Sequence, residues 1–267
     1  MSVISLSVLD LSLVAGLVVA SAGLSYWQKL AISKRYLIAA TRTVVQLSLI
    51  GLVLKFLFAQ QSVYWVVGWA VVILLIAGRE AIARQQYKFL SGWSYSLSTL
   101  SIFVSSFSVS IFVLLAVIQQ TPWYQPQYAI PILSMVIGNT MTAVALALDQ
   151  LTTQTWQHQA VIENRLALGE GWQEAIGDIK RQSIRVGMIP IINAMAAAGL
   201  VNLPGMMTGQ ILSGTPPTEA VKYQILIMLM IASGAAIASI IAISLGARHL
   251  FDERHRLRVD RLRDSLR

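Results

Sequence analysis

Seven runs of apolar residues dominate this sequence, nearly all long enough to cross about 30 Å of hydrocarbon as helices and nearly free of charge. They lie at roughly 6–26, 36–58, 62–78, 95–118, 128–148, 187–212 and 222–246. The third is short, and the sixth is interrupted by Asn202, Pro204 and Gly205. Only 12% of the residues are charged and 56% are hydrophobic. A soluble domain carries about 25% charge, so an ordinary cytosolic globule is excluded, and so is a disordered chain. The expectation is an all-α polytopic membrane protein with seven transmembrane helices. Residues 1–267 would form one transmembrane domain, with a long connection at 149–186 and a basic tail at 247–267.

Charge placement orients the spans. Of the 20 Lys and Arg residues, 17 follow odd-numbered runs. They are Lys29, Lys34 and Arg35; Arg79, Arg84 and Lys88; Arg165, Lys180, Arg181 and Arg185; and seven arginines from Arg248 to Arg267. Lys55 and Lys222 fall on the opposite side, and Arg42 lies within the second run. Basic loops stay in the cytoplasm. The N-terminus is therefore expected outside, with the C-terminus and 149–186 in the cytoplasm. The net charge of +8 thus reflects topology, not a basic stripe for nucleic acid. Ala20-Ser21-Ala22 resembles a signal cleavage site. However, Asp10 is the only charge before it, and the run exceeds a signal core of about 7–15 residues. It reads as a retained helix.

Ion-coupled carriers place acids or histidines within the bilayer, and none of these seven runs does so beyond Asp10, near the start of the first. There is no cysteine, hence no thiolate zinc site, and no His-Glu-x-x-His sequence. No catalytic residue or metal ligand set is identified. Arg42 is the one basic charge embedded in a run, with Gln46 a turn further on the same face. It is roughly 9 Å by helical rise from the cytoplasmic end of its helix. It can snorkel, bond to a neighbouring helix or line a path.

Ser98, Ser101, Ser105 and Ser108 form a helical stripe, suited to close helix packing or to a hydrated cavity. Ser12, Gly16, Ala20 and Gly23, and Gly234, Ala238, Ala242 and Gly246, read as packing seams, either of which could be a dimer interface. A repeated Asn-x-Met-x-Ala pattern, Asn139/Met141 and Asn193/Met195, sets two thioethers at matched depth. They could serve a soft metal or fill core gaps. Pro204 and Gly205 break the sixth run, leaving Met206, Met207, Thr208 and Gln210 at an outer gate or a helix-ending turn.

Within 149–186, Ile162, Leu166, Trp172, Ile176, Ile179 and Val186 recur as a helical face interrupted at Gly169 and Gly171. A short helix, a turn and a second helix are expected, with Pro190 in the first turns of the sixth span. An amphipathic helix on the membrane surface is one reading. Another comes from Glu163 and Gly169, with Arg165, Leu166, Leu168 and Trp172, which resemble the loop by which importer permeases dock a short helix on an ATPase. No Gly-x-x-x-x-Gly-Lys-Ser/Thr sequence occurs, so ATP would be bound by a separate chain.

Taken together, four segments closely resemble the FetB/YbbM-type ABC permeases. These are Arg42-Thr43-Val44-Val45-Gln46-Leu47, Ile137-Gly138-Asn139-Thr140-Met141, 163–169, and 203–212. The resemblance covers nearly the whole chain. It implies a permease domain over 1–267 in the cell inner membrane, embedded in the lipid bilayer as a permease homodimer. Each permease would pair with a cytoplasmic ATP-binding cassette subunit that carries ATP and Mg. It also implies iron export, metal homeostasis and oxidative-stress resistance. Plant members linked to aluminium tolerance leave a non-metal cargo such as a nucleotide sugar open. A scaffold or receptor without a transport cycle is the alternative outside the family.

Overall fold

A computed structural model describes residues 7–29, 33–60, 62–90 and 92–264. Residue 6, at the start of the first expected run, and 265–267, ending the expected tail, lie outside them. The described chain is mostly helical and divides into two units.

The first unit holds α1 (Val8–Trp27) and α2 (Ser33–Ala59), packed on each other. Asp10 has a local purpose: Ser7 Oγ accepts from the Asp10 N–H, and the Asp10 carboxylate accepts from the Ser7 N–H. Together they satisfy two donors at the start of α1. The helix runs unbroken through Ala20-Ser21-Ala22. Within this unit the small-residue face of α1 is left uncovered. Ser12, Gly16, Ala20 and Gly23 are exposed, and no described atom comes within 4 Å of where a Cβ on Gly16 or Gly23 would stand.

The second unit contains α3 (Val63–Ala83), β1 (Tyr87–Phe89), α4 (Trp93–Phe112), α5 (Pro126–Gln157), α6 (Gln159–Ala167), α7 (Trp172–Ala175) and α8 (Gly177–Ala197). After α9 (Gly205–Leu212), whose end falls in the first unit, it resumes with α10 (Pro217–His249) and β2 (Leu262–Asp264). A π-type turn, Val113–Ile118, extends α4. The central helix is α5, which packs against α3, α4, α8 and α10. Its buried Ile137, Val144, Leu148 and Leu151 meet Ile102 of α4 and Ala238, Ala242 and Ile243 of α10. Apolar chains gain little from leaving lipid, so close backbone approach has to hold such helices together.

The seam expected on α10 provides that approach: Gly234, Ala238, Ala242 and Gly246 are all buried. A Cβ on Gly234 would stand 3.0 Å from Val136 Cγ1, and Ser105 Oγ donates to the Gly234 carbonyl. Ser98, Ser101 and Ser105 are fully buried, whereas Ser108 is exposed, so three of the four serines pack. A close crossing of α5 and α8 brings backbone into contact. A Cβ on Gly187 would lie 2.8 Å from the Ala143 carbonyl oxygen and 2.9 Å from Ala147 Cβ.

Among the described residues, six helices are long and apolar enough to cross a membrane: Leu9–Trp27, Tyr36–Ala59, Val63–Ala83, Trp93–Ile118, Pro126–Gln157 and Pro217–His249. The run at 187–212 is split, because α8 ends at Ala197 and α9 begins at Gly205. Three other expectations shift. The third span is 21 residues long, because the helix continues through Arg79 and Glu80 to cover buried Ala81. The segment at 149–186 opens as helix, since α5 reaches Gln157. Pro190 sits deep inside α8, whose polar first turns the apolar count had overlooked.

Candidate functional site

The pole of the second unit that carries the tail is built from 149–186 and residues after α10. The expected helix–turn–helix is present. At the end of α6, the Gly169 N–H donates to the Leu166 carbonyl at 3.0 Å, and the Glu170 N–H to the Arg165 carbonyl at 3.2 Å. This reversal needs a left-handed residue, and Gly169 has φ +96°. Ile162, Ala175 and Ile176 are buried beneath it.

Arg165 fastens the turn. Its Nε lies 2.7 Å from Glu170 Oε2, and its Nη1 donates to the Ala175 carbonyl at 3.2 Å and reaches Asp178 Oδ2 at 3.5 Å. One guanidinium thereby ties α6, the turn, α7 and α8. The hydrogen bond and charge of Arg181 hold the Asp178 carboxyl below the usual carboxylate range. Leu166 packs inward, and Glu163 accepts from Gln159 Nε2 at 2.8 Å. Leu168 projects outward at 86% exposure, an apolar side chain on a firmly held turn.

The tail proves to be folded. Leu250, Phe251 and Leu262 are buried, and β2 pairs antiparallel with β1, with Lys88 opposite Arg263. His249 stacks on Trp93 with ring centroids 3.8 Å apart, and the Arg261 guanidinium donates to the His249 carbonyl at 2.6 Å. Trp172, expected on the apolar face of this segment and as a docking contact, lies 5.5 Å from the Phe251 ring, with Lys180 Nζ 5.8 Å above it. The tail therefore straps the turn. Between them is a cavity of about 480 Å³ edged by Glu163, Glu170, Arg254, His255 and Arg256. Sequence reasoning treated the tail as a basic extension. The signal it passed over was the recurrence of Leu250, Phe251, Leu257 and Leu262 among the arginines.

At the other end of α8 is a second cavity, of about 510 Å³. Met195, Leu203, Pro204, Met207, Gln224 and Met228 contribute to its wall. Gly199, with φ +78°, turns the chain out of α8, and its N–H donates to the Asn202 carbonyl at 2.9 Å. Thr208 Oγ1 donates back to the Pro204 carbonyl at 3.2 Å. Of the expected gate residues, Met195, Pro204 and Met207 share this cavity; Gly205, Met206 and Thr208 accompany them on the adjoining helix start, and Gln210 falls further along α9.

The matched methionines are not brought together there. Met141 packs against the core, while Met195 lines the cavity. Asn139 is exposed, with Nδ2 donating to the Met135 carbonyl at 2.9 Å, and Asn193 is also exposed. Arg42 and Gln46 lie on exposed positions of α2 in the first unit. Among the described residues, no group of three or more His, Cys, Asp or Glu could hold a metal ion. Gln224, Met228 and Gly187 were not singled out from sequence, and neither composition nor periodicity marks them.

Residues 8–251 match the family described as "Uncharacterised protein family (UPF0014)". The chain is 35% identical to the "UPF0014 membrane protein slr1647" of Synechocystis over 97% of its own length and 99% of that protein's. It is 32% identical to the "Probable iron export permease protein FetB" of Escherichia coli, covering 95% of this chain and 96% of that one. It is 31% identical to the "Protein ALUMINUM SENSITIVE 3" of Arabidopsis thaliana, over 81% and 77% respectively. No solved structure matches the chain. A bundle of long apolar helices matched nearly end to end by membrane proteins makes this a multi-pass membrane protein, and the chain belongs to the UPF0014 family.

Proposed function

We propose that the chain is the permease subunit of an ATP-driven ABC transporter in the cell inner membrane, working as a homodimer with two cytoplasmic ATP-binding subunits. The N-terminus lies outside, and α8 with α9 completes a seventh crossing. The observation that carries this reading is Leu168. An apolar side chain held out by the Gly169 turn and the Arg165 ties suits insertion into a groove of a partner. The tip is both apolar and fixed from three sides.

The route from docking to the membrane is direct. A push on the α6–α7 turn reaches Gly177 at once, and α8 is a single helix from there to Ala197 at the opposite cavity. Its contact with α5 at Gly187 is a pivot of backbone against backbone. Nucleotide binding and hydrolysis on the partner would shift the equilibrium between two arrangements of this lever, provided that the partner favours one of them.

For cargo, we propose iron export, supporting metal homeostasis and resistance to oxidative stress. The name of the Escherichia coli relative favours it. The shortage of ligand clusters among the described residues favours a second reading, a non-metal cargo.

The test is co-purification with an ATP-binding cassette subunit, with ATPase activity measured in proteoliposomes. Leu168→Asp should abolish association while leaving the permease folded. Unchanged association would refute the docking role of the turn. For cargo, iron-loaded cells expressing the pair should lose iron faster than cells with the Leu168→Asp permease. Equal retention would point to the non-metal reading.

A further inference from the structure

The connection between α1 and α2 carries chemistry that neither docking nor cargo export uses. It joins two membrane-length apolar stretches, Leu9–Trp27 and Tyr36–Ala59, so its residues stand where hydrocarbon gives way to water. Tyr26, Trp27, Lys29, Ser33 and Lys34 edge a cavity of about 630 Å³ there. That volume lies within the range of small-molecule sites, roughly 300–1,000 Å³. All five residues belong to the first unit.

The aromatic part of the wall suits a membrane boundary. Tyr26 and Trp27 close α1 at 81% and 80% exposure. Rings of this kind lay an apolar face on acyl chains and keep a polar edge at headgroup level. The chain then leaves α1 at Lys29, which has φ +55° and whose N–H donates to the Tyr26 carbonyl at 3.0 Å. It returns with Lys34 in the first turn of α2, where no acidic residue accompanies it.

The two lysines have no counter-charge within their unit. From residue 11 to residue 79 the sequence contains no Asp or Glu. Asp10, the one acid of the unit, is bound to Ser7 at the opposite end of α1, about 26 Å from Trp27 by helical rise. The cavity thus combines a mainly apolar wall with two exposed ammonium groups. A phospholipid with a net negative headgroup brings both complements in one molecule, whereas a free phosphate brings only the charge.

We propose that this cavity seats an anionic glycerophospholipid of the surrounding bilayer, with its phosphodiester on the Lys29 and Lys34 ammonium groups and its glycerol and upper acyl chains against Tyr26 and Trp27. The site goes beyond the transport reading and does not depend on it.

The test is native mass spectrometry of the full-length chain in dodecyl maltoside, titrated with dioleoyl phosphatidylglycerol or dioleoyl phosphatidylcholine. About a tenfold preference for phosphatidylglycerol is expected, in keeping with two basic side chains near a headgroup. Lys29→Gln with Lys34→Gln should reduce that preference at least fivefold. The charge-matched pair Lys88→Gln and Arg263→Gln, on β1 and β2, should leave it within about twofold. Tyr26→Ala with Trp27→Ala should weaken phosphatidylglycerol binding severalfold and keep the preference. All four lining positions are exposed, and size-exclusion profiles confirm that each variant is folded.

Equal binding of the two lipids overturns the proposal, as does a preference that survives loss of both lysines. A fall as large in the Lys88/Arg263 pair would mean that overall charge, not this cavity, attracts the lipid. Unchanged affinity after loss of both aromatic rings would remove the apolar seat. Glycerophosphoglycerol, the headgroup without its chains, and inorganic phosphate supply the last arm. Neither should displace the lipid at hundredfold excess, and displacement would make this a free-anion site instead. No ATP-binding subunit is present, so failure here leaves the docking proposal untouched, and failure of docking leaves this site untouched.

Discussion

The two ends of α8 are built from opposite chemistry. At its start, Arg165 and Asp178 draw it to the α6–α7 turn, Ile176 is fully buried, and the folded tail covers Trp172. At its finish, the helix opens into a loop whose Leu200 and Val201 are almost wholly exposed, beside a cavity held by apolar contacts. Polar ties have direction and fix geometry, whereas apolar contacts between adaptable side chains tolerate repacking. One helix thus has a rigid end that can receive force and a compliant end that can change shape. Gly187 lies between them, where the helix backbone comes close to α5.

The strongest way to break this contrast is to spoil the pivot that both ends share. Gly187→Leu places a branched side chain where even a Cβ would be 2.8 Å from a carbonyl oxygen. Neither partner is the end of a flexible side chain that could swing away. Overpacking of this kind costs about 1–3 kcal/mol or more. The thermal midpoint of the purified permease should fall by several degrees, and both ends should become protease-sensitive together. If only one end loosens, α8 does not act as a single lever.

Next in size is the strap at the rigid end. Leu262→Asp inserts a carboxylate at a buried position of β2 that faces Phe89. A buried charge escapes to solvent where the chain allows it, so the tail should detach. Limited proteolysis should then cut within 250–264, while the amides of 198–204 at the other end of α8 keep their protection from exchange. Arg165→Ala removes three ties but leaves the buried Ile162 and Ile176 in place, so its effect should be smaller, about 1 kcal/mol. Hydrogen exchange at 168–171 should report it, and the amides of 198–204 should be unaffected.

How much of this contrast was legible beforehand differs between its halves. The turn was readable because it obeys local rules: apolar residues at helical spacing up to Leu166, and a glycine where the chain must reverse. The small-residue face of α10 was readable for the same reason, and it does pack. The chemically similar face on α1 stays exposed. A stripe of small residues states only that close approach is permitted, not what approaches. The folded tail was missed because its partners, Tyr87, Phe89 and Trp93, lie more than 150 residues away in sequence. Charge density hid four apolar anchors. Gly187 draws its importance wholly from what stands opposite it, and no count along one chain reveals that.

The smallest effect concerns what keeps the strap in register. Asp252 accepts from the Arg254 and Arg256 N–H groups, each at 2.9 Å, and from the Arg256 guanidinium at 2.9 Å. The Arg256 N–H is the leading cause that holds its carboxyl below the usual carboxylate range. A carboxyl depressed in the fold adds stability that is fully present above its unfolded pKa of about 3.9 and is lost as pH falls through the folded value. The part of the amide protection at 252–258 that Asp252 supplies should therefore be constant from pH 8 to pH 5 and be lost only in stronger acid. Asp252→Asn retains one acceptor oxygen but loses the charge, so it should lower protection at those amides slightly at every pH and flatten the acid response. The Met-lined end carries no titrating group in its wall and should show neither change. A cavity that opened with the acid transition would mean that the tail, and not α8, links the two ends.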